Sequence, residues 1–237
     1  MHDLIFDRVS VSYGSVAALS DVTLRCSAGR VTCLVGPNGA GKSTALAVAA
    51  GVVRPSAGRI FFGTHEARWH EPLDCRSYLP QNGTFAKLLK VREVLEFAGA
   101  VSGASTLQYT RALEATGVHK VFNRRVGELS GGWERRVGLT WALLQPADVV
   151  LLDEPLVGLD PETLDRVLEH LSRGSAHGDT IVMATHDFEA VECLHPMLAV
   201  LEGGKLVAQF EHEDAALRGL YRAALMGASA ISDVSAD

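Results

Sequence analysis

Val31-Thr32-Cys33-Leu34-Val35-Gly36-Pro37-Asn38-Gly39-Ala40-Gly41-Lys42-Ser43-Thr44 is the stretch on which the reading of this 237-residue chain turns. Its first five residues form a continuous apolar run, as in a strand buried on both faces. Ser43 to Ala50, rich in Ala and Leu, reads as a helix. Between them Gly36 to Ser43 fits GxxxxGK[ST], with a strand before and a helix after, the setting that gives the pattern meaning. Glycines let backbone N–H groups turn inward, and the helix N-terminus adds partial positive charge, so residues 36–44 are built to cradle the phosphates of a nucleotide. Lys42 is placed to reach the β and γ phosphates, and Ser43 to ligate Mg2+. A dinucleotide fingerprint fails, because Thr44 stands where GxGxxG needs its last glycine.

Working outward, Val149-Val150-Leu151-Leu152-Asp153-Glu154 is a second buried strand that ends in two acids. An aspartate at that place holds Mg2+ through water, and the adjacent Glu154 is positioned to orient or deprotonate an attacking water. Ile5 to Tyr13 alternates as a strand, Val22 to Cys26 continues an antiparallel start, and Arg59 to Phe62 is a short strand enclosed by Gly58 and Gly63. Ser77 to Leu79 is another strand, stopped by Pro80. Residues 82–128 then lose all strand signals. Leu88, Val91, Val94, Leu95 and Ala98 recur at helical spacing, and Leu107 to Thr116 is a second helix ended by Gly117.

Strand signals resume at Thr180–Ala184, after a helix over Pro161–Arg173. A helix over Asp187–Leu194, a hairpin over Met197–Phe210 turning at Gly203-Gly204, and a closing helix over Glu211–Met226 follow. The small polar residues from Ser229 to Asp237 read as a frayed end. Alternating strands and helices predict an α/β fold with a parallel core. The core comprises residues 1–81 and 129–237, with residues 82–128 as an inserted helical subdomain.

Apolar residues make up 47% of the chain and the net charge is −6, so no whole-surface attraction to nucleic acid is expected. Cys26, Cys33, Cys75 and Cys193 form no CxxC or metal-like spacing, and Cys33 reads as a small buried hydrophobe. Asp3 and Asp7 interrupt any signal-like N-terminus. No apolar run approaches the ~18 residues a membrane span requires, so the reading is a cytosolic chain. His65-Glu66-Ala67-Arg68-Trp69-His70 imitates HExxH, but its histidines are five apart and diverge on a helix, so no zinc site is expected.

The discriminating stretch is Leu129-Ser130-Gly131-Gly132-Trp133-Glu134-Arg135-Arg136. With it, the chain closely resembles the ATP-binding cassette (ABC) family, whose signature LSGGQ stands here. The resemblance covers nearly the whole chain. Tyr13 matches the aromatic that stacks on adenine, Gln81 the Q-loop, Asp160 the D-loop and His186 the switch histidine. It implies a RecA-like P-loop NTPase core with an N-terminal antiparallel β-subdomain and the helical insert. It also implies ATP and Mg2+ as cofactors, the metal being held by Ser43, Gln81 and Asp153, and Glu154, His186 and Gln81 in catalysis. Two such chains, a homodimer or a pair with a sister ATPase, sandwich two ATP. Ser130, Gly131 and Gly132 of each complete the nucleotide site of the other.

Simpler readings stand beside these. Tyr13 fits an ordinary strand aromatic, His186 a satisfied core histidine, and Gln81 the first residue of the insert. Asp160, followed by Pro161-Glu162, is an N-cap with proline at N1, a role compatible with a D-loop. Arg135-Arg136 reads most simply as a solvated helix face or a contact to the insert.

Two positions depart from the family pattern. Trp133 replaces the glutamine that would close a capping box on Ser130. The expectation is a weaker cap, with the indole packing on the insert or on the partner's nucleotide. Leu156 stands where Ser or Thr is usual.

The function implied by the resemblance is the ATP-hydrolysing subunit of a transporter. It would act on the cytoplasmic face through a separate multispanning membrane permease, with a lean toward export from the short insert and the short stretch after His186. The alternatives are a non-transport ABC ATPase, as in cluster assembly, and an idle regulatory module, against which intact Glu154 and His186 argue.

Overall fold

Strands buried on both faces alternate their side chains between two cores, and that division organises the molecule. The computed structural model describes residues 2–68, 75–83, 85–186 and 191–210. The expected closing helix over 211–226, the frayed end after it and the first four residues of the helix expected at Asp187–Leu194 lie outside the described residues. Glu192–Leu194 is a 3₁₀ turn.

β1 (Leu4–Tyr13), β2 (Val16–Cys26), β3 (Val31–Val35), α1 (Lys42–Ala49), β4 (Ala57–Phe62), β5 (His65–Glu66) and β6 (Arg76–Leu79) come first. α2 (Val91–Ser102), α3 (Thr106–Thr116), α4 (Gly131–Leu144), β7 (Val149–Asp153), α5 (Pro161–Ala176), β8 (Thr180–Ala184), β9 (Met197–Glu202) and β10 (Lys205–Phe210) follow. Among the described residues the strands form an antiparallel sheet, in the order β2-β1-β4-β5, and a larger sheet in the order β10-β9-β3-β8-β7-β6. In the larger sheet every pairing is parallel except β9 with β10.

Val31, Cys33 and Val35, with Val150, Leu152, Ile181 and Met183, face α2, α3, α4 and α5. Leu34, with Val149, Leu151, Val182 and Ala184, faces α1 and the antiparallel sheet. Both faces of these strands are covered, so they read as unbroken apolar runs. Burial pushes the Cys26 thiol up to about 12 and holds that of Cys33 higher still, leaving both as inert packing residues.

The helices of residues 82–128 share a core with α4, since Val91, Leu95, Ala98 and Ala112 join Val137 and Leu139 in one cluster. α3 is closed at both ends as its sequence demands. Ser105 and Gln108 form a reciprocal capping box, and Gly117 ends the helix in the left-handed conformation. A buried hydroxyl pair, Thr116–Thr140 at 2.8 Å, ties it to α4. Leu88 departs from expectation. It precedes α2 and is 82% exposed, so the apolar stripe of that helix begins at Val91. His65 and Glu66 lie on a strand, which removes the helical geometry that the HExxH pattern requires, and His70 lies outside the described residues.

Candidate nucleotide site

β3 delivers the glycine-rich loop at its C-terminal end, and α1 begins at Lys42, so strand, loop and helix follow the sequence reading to within a residue. Two glycines are obligatory for different neighbours. A Cβ on Gly36 would lie 2.0 Å from the Leu201 carbonyl oxygen, and one on Gly41 would lie 2.5 Å from that of Ala18. Both have positive φ, so backbone conformation and space exclude side chains together. The turn between β9 and β10 also braces the loop, because Gly204 N–H donates to the Ala40 carbonyl at 3.2 Å.

Lys42 Nζ donates to the carbonyls of Gly36 at 2.8 Å and Pro37 at 3.0 Å. Burial lowers its pKa, opposed by the charges of Glu154 and Asp153. This ammonium is already held over the loop that would receive phosphate. Asp153, at the end of β7, has its pKa raised by burial, an effect countered by a hydrogen bond with the Ser43 side chain. A hydroxyl and a carboxylate in contact are hard oxygen donors, a set that fits Mg2+.

Glu154 takes a left-handed backbone conformation, φ 52°, which is costly for a residue with a side chain. Its N–H is anchored on the Ala184 carbonyl at 2.9 Å. Its carboxylate Oε2 lies 2.9 Å from His186 Nδ1. The His186 side chain is 65% exposed, which dismisses the reading as a core histidine, whereas the Glu154 side chain is only 15% exposed. The ends of β7 and β8 thus bring an acid and an imidazole together at the sheet edge that carries the loop.

Gln81 is exposed just beyond β6, and Tyr13 is 54% exposed at the β1–β2 turn, presenting its ring to solvent. Ser130 is the N-cap of α4, as expected, but its side chain makes no capping bond. Ser130 and Gly131 are exposed, and Gly132 packs beside Gly158, whose carbonyl lies 3.6 Å from where a Gly132 Cβ would be. Asp160 does cap α5, accepting from Thr163 N–H at 2.9 Å ahead of Pro161. That bond, together with the Arg136 guanidinium, holds its carboxyl well below the usual carboxylate range.

The arginines correct the sequence reading most. Arg136 is buried, not solvated: it pairs with Asp160 and donates to Thr163 Oγ1 at 3.2 Å. Its guanidinium also lies 4.5 Å over the Trp133 ring, and the indole packs against the apolar cluster that the insert shares with α4. Arg135 reaches into the centre of the site, donating to the carbonyls of Pro80, Gln81, Asp153 and Glu154. A signal for this is present in the sequence. The run Val137 to Leu144 is apolar almost all round, so α4 has no polar face on which two arginines could be solvated.

Comparison with known proteins agrees with this geometry. The ABC transporter family model matches residues 19–157. Nod factor export ATP-binding protein I of Paraburkholderia xenovorans is 34% identical over 216 residues, covering 86% of this chain and 69% of that protein. Methionine import ATP-binding protein MetN of Cereibacter sphaeroides is 34% identical over 220 residues, covering 86% and 62%. A solved ATP-binding subunit of an ABC transporter superposes with a TM-score of 0.80 at 25% identity, over 94% of this chain and 95% of that one. The phosphate loop, the paired acids and the Leu129–Gly132 stretch therefore place the chain in the ABC transporter family, as an ATP-binding subunit and an ATPase.

Proposed function

We propose that this chain hydrolyses Mg2+-ATP as one half of a two-subunit sandwich and powers a separate membrane permease. The observation that carries the reading is the grouping at one sheet edge. Lys42 lies over the phosphate loop, Ser43 is near enough to Asp153 to counter the rise in its pKa, and Glu154 pairs with His186. Residues 36–44 bind the phosphates and Tyr13 stacks on the base. Glu154 accepts a proton from the attacking water, while His186 orients that carboxylate and senses the γ-phosphate. Ser43 and Asp153, with Gln81, would hold Mg2+, which would screen the phosphate charge.

Two features support the shared site. The first-turn N–H groups of α4 have no side-chain cap to occupy them, and Gly131 beside Ser130 is exposed. A helix N-terminus in that condition suits a phosphate brought by a partner. The division into a core, residues 1–81 and 129–237, and an arm, residues 82–128, belongs to the same reading: the arm and the Gln81 loop meet the permease.

No helix among the described residues is long and apolar enough to cross a membrane, so in this reading the permease supplies the span. The lean toward export rests on the sequence alone, because relatives named for export and for import match at the same 34% identity.

Replacing Glu154 by Gln is the decisive test. It should leave ATP binding intact, slow turnover by about a hundredfold or more, and accumulate an ATP-dependent dimer in size-exclusion chromatography. Turnover equal to that of wild type removes Glu154 from the base role.

A further inference from the structure

We infer that Arg135 is the positioning residue that sets the conformation of Glu154 and links it to the helix bearing Ser130–Gly132. The inference rests on the reading of Glu154 given above. β6 and β7 run parallel, pairing Leu79 with Leu152, so their C-terminal ends present successive carbonyls where the ladder stops. Arg135 collects four of them. Nη1 donates to Pro80 O at 3.0 Å and to Gln81 O, and Nη2 donates to Asp153 O and to Glu154 O at 2.9 Å.

The last two carbonyls belong to the peptides on either side of Glu154. One guanidinium therefore fixes both peptide planes around the residue whose backbone is held at φ 52°. Such a conformation persists only where the surroundings over-determine it. The Glu154 N–H bond to Ala184 supplies one restraint, and the Arg135 fork supplies the others. A planar fork with fixed donor directions can do this, whereas a lysine ammonium, with three donors at one point, cannot span four carbonyls.

Arg135 is itself rigidly carried. One turn further along α4, Gly138 lets the helix approach β6 so closely that a Cβ there would lie 3.1 Å from Leu79 Cδ1. One turn before it stands the uncapped N-terminus with Ser130. Any displacement of that N-terminus on meeting a partner's phosphate is delivered, through Arg135, to the Gln81 loop and the backbone of Glu154. Each chain's signature end thereby acts on its own hydrolytic acid as well as on the neighbouring nucleotide.

The test compares Arg135→Met and Arg135→Lys with wild type in the full chain, measuring ATP turnover, nucleotide binding and melting temperature. The fork leaves the phosphate loop untouched. Arg135→Met should therefore lower kcat by about tenfold to a hundredfold while the nucleotide Kd stays at the wild-type value. Arg135→Lys, which keeps the charge, should recover only part of kcat. Wild-type kcat in either variant overturns the inference, and so does a fall in kcat matched by an equal fall in nucleotide affinity. Glu154→Gln run alongside separates the two claims. Slow turnover there with full turnover in Arg135→Met rejects the role of Arg135 alone, whereas wild-type turnover in Glu154→Gln rejects the base reading beneath it.

Discussion

The phosphate loop and the N-terminus of α4 are both glycine-rich turns that lead into helices, yet they are finished to different degrees. The loop at 36–44 is wedged between β2 and the β9–β10 turn, with Gly36 and Gly41 too close to neighbouring carbonyls to carry a side chain. Its lysine is already bound to the loop's own oxygens. At the start of α4 the Ser130 hydroxyl makes no capping bond and Gly131 is exposed. The loop has its order built in by tertiary packing within the chain. The α4 terminus leaves its first-turn donors without a side-chain cap. In the proposed two-subunit site, a loop of the first kind binds nucleotide in the monomer, and a terminus of the second kind would contribute only once a partner arrives.

The largest effect should come from the phosphate loop. Lys42→Ala deletes the charged donor over it and should weaken nucleotide binding by roughly tenfold to a hundredfold, read by titration with a fluorescent ATP analogue. Unchanged binding would count against residues 36–44 as the phosphate site. The α4 terminus should behave in the opposite way. Ser130→Ala removes no capping bond, so the melting temperature should hardly move, and monomer affinity for nucleotide should not change. Turnover alone should fall, by about threefold to tenfold, if the hydroxyl is used only in the proposed two-subunit site. A clear drop in melting temperature would show that Ser130 serves its own helix, and the contrast between loop and terminus would disappear.

Asp160 joins the α4 terminus to α5. Its carboxyl is held below the usual range by the Thr163 N–H and by Arg136. The sign follows from linkage: a carboxylate whose folded pKa is depressed contributes stability above its unfolded pKa, near 3.9, and loses it as pH falls through the folded value. Asp160→Asn keeps a capping oxygen and removes the charge. The gap in melting temperature between wild type and this variant should be open at neutral pH and close below about pH 4. High salt should narrow it, since the Asp160 side chain is half exposed. A gap that widens on acidification would contradict the assignment.

What is legible in the sequence is local. β3 and β8 end where their apolar runs end, α3 stops at Gly117, and α5 begins at the Asp160-Pro161 cap, because each boundary depends on a few adjacent residues. The hairpin at Gly203-Gly204 is readable for the same reason, but its use is not: bracing the phosphate loop joins residues 18, 40, 41 and 204, which no local pattern relates. Leu88 fits the helical spacing yet lies outside α2, since a period of 3.6 continues to match by chance beyond a helix end. Arg135 and Arg136 escape a local reading because a charged pair is usually solvated, and only the apolar helix around them hints otherwise. The chemistry is written in short motifs, and the second set of contacts that holds it in place belongs to the tertiary fold.

Trp133 gives the smallest and most discriminating test of the α4 terminus. Family pattern would place glutamine there to close a capping box on Ser130, and the indole cannot accept that bond. In the structure Trp133 instead lies under the Arg136 guanidinium at 4.5 Å, and Arg136 holds Asp160. A cation over an indole is worth from about 0.5–1 kcal/mol at exposed sites to about 2 kcal/mol when desolvated, and with Arg136 buried and Trp133 partly so, Trp133→Gln loses a contact within that range. The new side chain can recover much of it by capping Ser130 N–H. The two terms are similar and opposed, and turnover should stay within about threefold of wild type. A much larger loss would mean that the indole meets the partner's nucleotide directly. In that case the terminus is open because a base or ribose is to be received there, and not phosphate alone.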